Sequence, residues 1–79
     1  MGRGRRKRPK YLAEKLRQVR LSLGWTQQQL ADHMGLDSGT ISRFENDQRE
    51  PDLTELLQYA RLGKTTMEVL ADDKQKLPR

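Results

Sequence analysis

The sequence predicts an all-α fold, one compact domain of five short helices, and three observations carry that prediction. Apolar residues recur at spacings of three and four from position 12 onward, and no alternating strand pattern competes with them. Segment after segment opens on Thr or Asp, often with Gln or Glu three residues later, the signature of capped helix starts. The stretches between segments are short, as in compact helical domains. A chain of 79 residues holds a single modest core. It has no cysteine, so no disulfide or thiolate metal site braces that core.

Pro9 suits a first helical turn, where its missing N–H has no partner to lose. Leu12, Leu16, Val19 and Leu23 then mark one face of the first helix, and Gly24 ends it. Thr26 caps the second helix with Gln29 reaching back, and Trp25 with Leu30 forms a hydrophobic staple. Leu30, Ala31 and Met34 face inward, and Gly35 supplies the turn. Asp37 caps the third helix, with Leu36 and Ile41 as a second staple. "PDLTE" opens the fourth: Asp52 caps, Glu55 completes a box, Leu53, Leu56, Leu57 and Ala60 form the buried side, and Gly63 closes it. Thr65 and Glu68 are placed to box a last short helix around Met67 and Leu70. The expected organisation is a basic arm over 1–8, a folded domain over 9–72 and a frayed tail or linker over 73–79.

Charge is distributed unevenly. Of 16 basic residues, six (Arg3, Arg5, Arg6, Lys7, Arg8 and Lys10) fall in the first ten positions, which contain no acid. The rest of the chain, with ten basic and 11 acidic residues, is close to neutral. An arm rich in Gly and Arg has too little apolar surface to order itself, and a polyanion is its natural partner. A merely solubilising tail is the alternative.

The third helix is unusual in composition. In "GLDSGTISRFE" the inner positions Ile41 and Phe44 are apolar, but Ser38, Gly39, Thr40 and Ser42 are small, polar and poor helix formers. The second and third helices are separated by about three residues, Gly35 to Asp37, which forces a steep crossing. Residues 27 to 46 thus have the make-up of a helix-turn-helix.

The stretches "LRQVRLSLGWTQQQLADHMG", "ISRFEN" and "REPDLTELLQYARLG" resemble the Cro- and lambda-repressor-like (XRE-type) helix-turn-helix family over residues 12 to 70. The resemblance implies a five-helix DNA-binding domain whose third helix docks in the major groove. It puts Ser38, Gly39 and Arg43 where the family reads base edges, and Gln27 where it holds a phosphate. Thr40, Ser42 and Arg49 are candidates for the sugar-phosphate backbone, the first two as short donors. Arg43 is the long reader, suited to a bidentate contact with guanine; a solvated surface charge is the competing account. Arg20 and Glu45 match a pair that commonly bridges the first and third helices in the family. After "FEN" the family often has glycine, whereas this chain has Asp47, which tolerates a left-handed turn but brings a negative charge close to DNA.

The expected function is sequence-specific recognition of double-stranded DNA by a transcriptional regulator, a repressor, acting as a homodimer on DNA. The alternative is a protein-interaction module of the same fold, of antitoxin or coactivator-bridging type, using Met67 and Val69 on the last helix. No enzyme, cofactor or metal is expected: the single His33 lies off the apolar face, and no glycine-rich phosphate loop or metal-ligand spacing is present. Nothing reads as a membrane span, so a cytoplasmic, nucleoid-associated protein is expected.

Overall fold

Residues 11–77 are described by a computed structural model. Among them are five helices and no strand: α1 (Leu12–Ser22), α2 (Gln27–Met34), α3 (Ser38–Glu45), α4 (Leu53–Leu62) and α5 (Met67–Ala71). The basic arm and Pro9 lie outside the described residues. No described helix is long and apolar enough to cross a membrane.

The core draws on every helix. Leu12, Leu16 and Val19 of α1 meet Leu30, Ala31 and Met34 of α2, Ile41 and Phe44 of α3, Tyr59 and Ala60 of α4, and Leu70 of α5. Burying each large aliphatic side chain contributes about 1.5–3 kcal/mol, which is why so small a domain needs all five elements. α1 is the common support, touching α3, α4 and α5, while α2 packs on α3. Phe44 and Tyr59 meet edge to face with centroids 6.2 Å apart. The Tyr59 hydroxyl has no hydrogen-bond partner among the described residues, and burial pushes its pKa above the usual phenol value.

Helix starts follow the sequence signals closely. The Thr26 hydroxyl accepts from the Gln29 N–H at 3.1 Å, and the Gln29 side chain returns to the Thr26 N–H at 2.8 Å. Asp52 and Glu55 form the same reciprocal box at 2.8 and 2.9 Å. The ends of α1 to α4 share one device. At 24, 35, 47 and 64 a residue turns left-handed, and the residue after it donates to a carbonyl five positions back. Gly24 and Gly35 fill two of these positions without steric cost. Asp47 (φ 59°) and Lys64 (φ 54°) fill the others.

Gly63 closes α4 as expected, with φ −83°, and Lys64 makes the left-handed turn. A carbon added at Gly63 would sit 2.9 Å from Val19 Cγ2, so α1 and α4 meet there only because no side chain intervenes. Thr66, not Thr65, caps α5 by accepting from the Val69 N–H; Thr65 still belongs to the exit from α4, where its N–H donates to the Ala60 carbonyl. Leu53 is 71 % exposed at the first position of α4, and Tyr59, not foreseen for the core, is fully buried. Met67 packs against the core and Val69 is half-buried, so α5 does not present them as a free apolar face.

Residues 73–77, expected to fray, return to α1: the Tyr11 N–H donates to Asp73 at 3.0 Å and Leu77 packs on the core. Lys15, only 6 % exposed, is buried beneath them. Its ammonium donates to the carbonyls of Val69 and Asp72, both at 2.7 Å, satisfying the C-terminal end of α5.

Candidate nucleic-acid interface

The helix-turn-helix is built from two caps and one turn. α2 ends at Gly35 (φ 72°), where the Leu36 N–H donates back to Ala31 at 2.8 Å. Two residues later Asp37 starts α3, its Oδ1 accepting from the Thr40 N–H at 2.7 Å. The connection is therefore as short as the sequence implied. Ile41 and Phe44 anchor the inner side of α3 at full burial, leaving Ser38, Gly39, Ser42 and Arg43 towards the outside.

Electrostatic pinning fixes α3 on its support. Arg20 of α1 donates from Nε to Glu45 Oε2 at 2.7 Å and from Nη2 to Oε1 at 3.0 Å, a bidentate pair. The two side chains are 12 % and 3 % exposed. A third donor on Arg20, Nη1, reaches the Trp25 carbonyl at 2.8 Å, joining the loop before α2 to the same guanidinium. Gln27 joins the group by donating from Nε2 to Glu45 Oε1 at 3.2 Å. One carboxylate thus organises α1, α2 and α3 together.

The outer face is open and basic. Gly39 and Arg43 are exposed, and Ser38 is half-buried at the helix start. A carbon added at Gly39 would meet only the Asp37 Oδ1 at 3.4 Å and Arg43 Nη1 at 3.9 Å, ordinary contacts that leave room for a side chain. Glycine is therefore not required there by the protein's own packing. Ser42 accepts from the Asn46 side chain at 3.2 Å, and Arg49 lies over the Phe44 ring at 5.8 Å. The Thr40 hydrogen bond, first through its backbone N–H, holds the Asp37 carboxyl below the usual carboxylate range, and the charges of Arg43 and Arg49 add to this.

Thr40 is 7 % exposed on the side of Ile41 and Phe44, and its side chain as well as its N–H helps to hold the exposed Asp37 carboxyl ionised. The signal was present: Thr40 stands four residues before Phe44 on the same helical face. Sequence reasoning also missed the link from Gln27 to the ion pair, and no spacing rule reveals a contact made 18 residues apart. His33 is exposed as expected, its ring 5.2 Å from that of Trp25. Among the described residues no cluster of three His, Cys, Asp or Glu is placed to hold a metal ion.

A sequence profile described as Helix-turn-helix matches residues 16–70. The chain belongs to the XRE-type helix-turn-helix family. It is 41 % identical over 54 residues to the antitoxin HipB of Escherichia coli K12, covering 68 % of this chain and 58 % of that protein. It is 29 % identical over 59 residues to the HTH-type transcriptional regulator ImmR of Bacillus subtilis, covering 75 % of this chain and 46 % of that one. This chain therefore spans about half the length of these curated relatives. The crystal structure of a hypothetical transcription factor, NHTF, from Neisseria superposes with a TM-score of 0.69 at 26 % identity, over 82 % of this chain and 75 % of that one. As a helix-turn-helix family member the chain has the five-helix fold that its caps and apolar spacing predicted.

Proposed function

We propose that this chain is the sequence-specific double-stranded DNA-binding domain of a transcriptional regulator, a repressor that binds its operator as a symmetric dimer. The observation that carries this reading is the outer face of α3: bare at Gly39, with Arg43 exposed beside it, and clamped from behind by Arg20 and Glu45, while the exposed Arg49 follows in the loop after the helix. A helix meant for solvent gains nothing from a glycine that its own packing does not need, whereas a helix entering a groove must let base pairs come close to its backbone. Ser38, Gly39 and Arg43 read base edges. Gln27, Ser42 and Arg49 hold the sugar-phosphate backbone, and Gln27 keeps a second amide hydrogen for a phosphate while Glu45 takes the first. The arm bearing Arg3, Arg5, Arg6, Lys7, Arg8 and Lys10 supplies charge to the backbone or an adjacent groove.

A second reading follows from the similarity to HipB, whose name is that of an antitoxin. In that reading the domain works chiefly by holding a protein partner, and DNA binding is secondary. Selection of bound duplexes from a random pool at fixed salt separates the two, since a protein adaptor enriches no sequence. Within the DNA-binding reading, Arg43→Ala weakens specific binding by about 1–3 kcal/mol and relaxes preference at about one base pair per half-site. An unchanged preference removes Arg43 from the base-reading set. Deleting residues 2–8 lowers affinity for selected and scrambled duplexes alike. It flattens the slope of log K against log salt by ~0.9 for each phosphate released. A slope identical to the parent's means that the arm does not touch the backbone.

A further inference from the structure

We propose that Asp37 is a positioning residue for Arg43: besides capping α3, it holds the guanidinium across the bare backbone of Gly39, so that the arginine meets a base edge already oriented. The inference rests on Arg43 being the base reader proposed above, and it adds a specificity residue to that site. Three observations point to it. The Asp37 carboxylate is itself fixed, because Oδ1 accepts from the Thr40 N–H at 2.7 Å and cannot swing freely. Asp37 Oδ1 and Arg43 Nη1 border the same small space, at 3.4 and 3.9 Å from the point where a side chain at Gly39 would begin. The charge of Arg43 is felt at Asp37, where it helps to keep the carboxyl ionised.

Helical geometry explains why these three positions act together. Side chains tilt towards the helix N-terminus, so a long one at 43 lies over residue 39, one turn earlier. A first carbon at 39 would sit in ordinary contact with Arg43 Nη1 at 3.9 Å, and a longer side chain would compete with the guanidinium for the space between it and the cap. A free arginine has many rotamers to lose when it forms a bidentate pair, and a carboxylate at one end of its range removes many of them beforehand. Asp37 is also an anion on a surface that meets phosphates. It therefore disfavours every pose in which Arg43 leaves it to sit on the backbone, giving up affinity for DNA in general to gain discrimination.

The test compares Asp37→Asn with the parent, because Asn caps as well as Asp and keeps an oxygen for the Thr40 N–H while losing the charge. Asp37→Ser, an equally good cap that is too short to approach Arg43, serves as the second variant. Each is titrated on the duplex selected by the parent and on duplexes changed at the one base pair whose preference depends on Arg43. The expected result is a three- to tenfold loss of discrimination at that pair, roughly, with equal or tighter binding to random duplexes and a melting temperature only slightly lowered by the lost charge at the cap. In an Arg43→Ala background the same substitutions should leave base preference alone. If Asp37→Asn and Asp37→Ser keep the parent's discrimination while Arg43→Ala loses it, Asp37 is only a cap and the proposal is overturned. If Arg43→Ala itself keeps the parent's preference, Arg43 is not the reader, and the proposal falls with that assignment.

Discussion

Gly39 and Gly63 are both glycines at ordinary negative φ or within a regular helix, yet they stand in opposite surroundings. At Gly63, on the seam between α1 and α4, an added carbon would press on Val19 at 2.9 Å and on the Tyr59 carbonyl at 3.3 Å. At Gly39, on the outer face of α3, it would meet nothing closer than 3.4 Å. The seam needs its glycine so that the domain can close. The outer face keeps its glycine although the domain closes without it. A residue that the fold requires and a residue that only a partner can require are thus separated by a distance, and the same division runs through the molecule. Changes on the seam and beneath α3 should alter stability and leave base preference alone, and changes on the outer face should do the reverse.

The largest effect tests the inner side of that division. Glu45→Ala strands the Arg20 guanidinium at 12 % exposure and releases Gln27, and should cost about 3 kcal/mol, against nearly nothing for the exposed Glu14→Ala. Equal denaturation midpoints for the two variants would make the pair energetically empty. Next in size is Gly63→Ala, expected to lose about 1–3 kcal/mol, because β-branched Val19 is stiff and the Tyr59 oxygen is backbone. Adding Val19→Ala should recover part of the crowding. A parent-like melting temperature for Gly63→Ala alone would show that the seam relaxes freely. The smallest effect has the opposite sign: Gly39→Ala should raise stability by ~0.5–1 kcal/mol and at the same time weaken binding to the selected duplex. Stabilisation without weaker binding would mean that no groove approaches α3 closely.

Local chemistry made the starts of α2, α3 and α4 legible, because capping involves residues three apart and the sequence displays them side by side. The ends of α1 and α2 were equally legible, since glycine is the cheapest left-handed residue. At α4 the glycine again marked the end, but Gly63 answers also to Val19, which no local pattern contains, and Lys64 bears the left-handed turn. Lys15 shows a different limit. It shares the face of Leu12 and Val19 by spacing, but its charge argued for the surface, and only the carbonyls of Val69 and Asp72, more than fifty residues away, make its burial tolerable. Within the site, the outer character of Ser38, Gly39 and Arg43 followed from composition and period. The burial of Thr40 was readable from its place one turn before Phe44, whereas the tie from Gln27 to Glu45 depends on tertiary approach alone.

That buried ammonium has a consequence for how the domain comes apart. α5 has five residues, too few to hold a helix unaided, so its last turn exists only while Lys15 answers its carbonyls and Leu70 fills the core. Fraying of the final turn would break both carbonyl contacts of Lys15 and uncover Leu70, so that turn is held by α1 as well as by its own hydrogen bonds. Opening of α5 is therefore expected to be coupled to its contacts with α1. The slow-exchanging amides of the domain should include those at its C-terminal edge, where a short terminal helix would ordinarily exchange fastest.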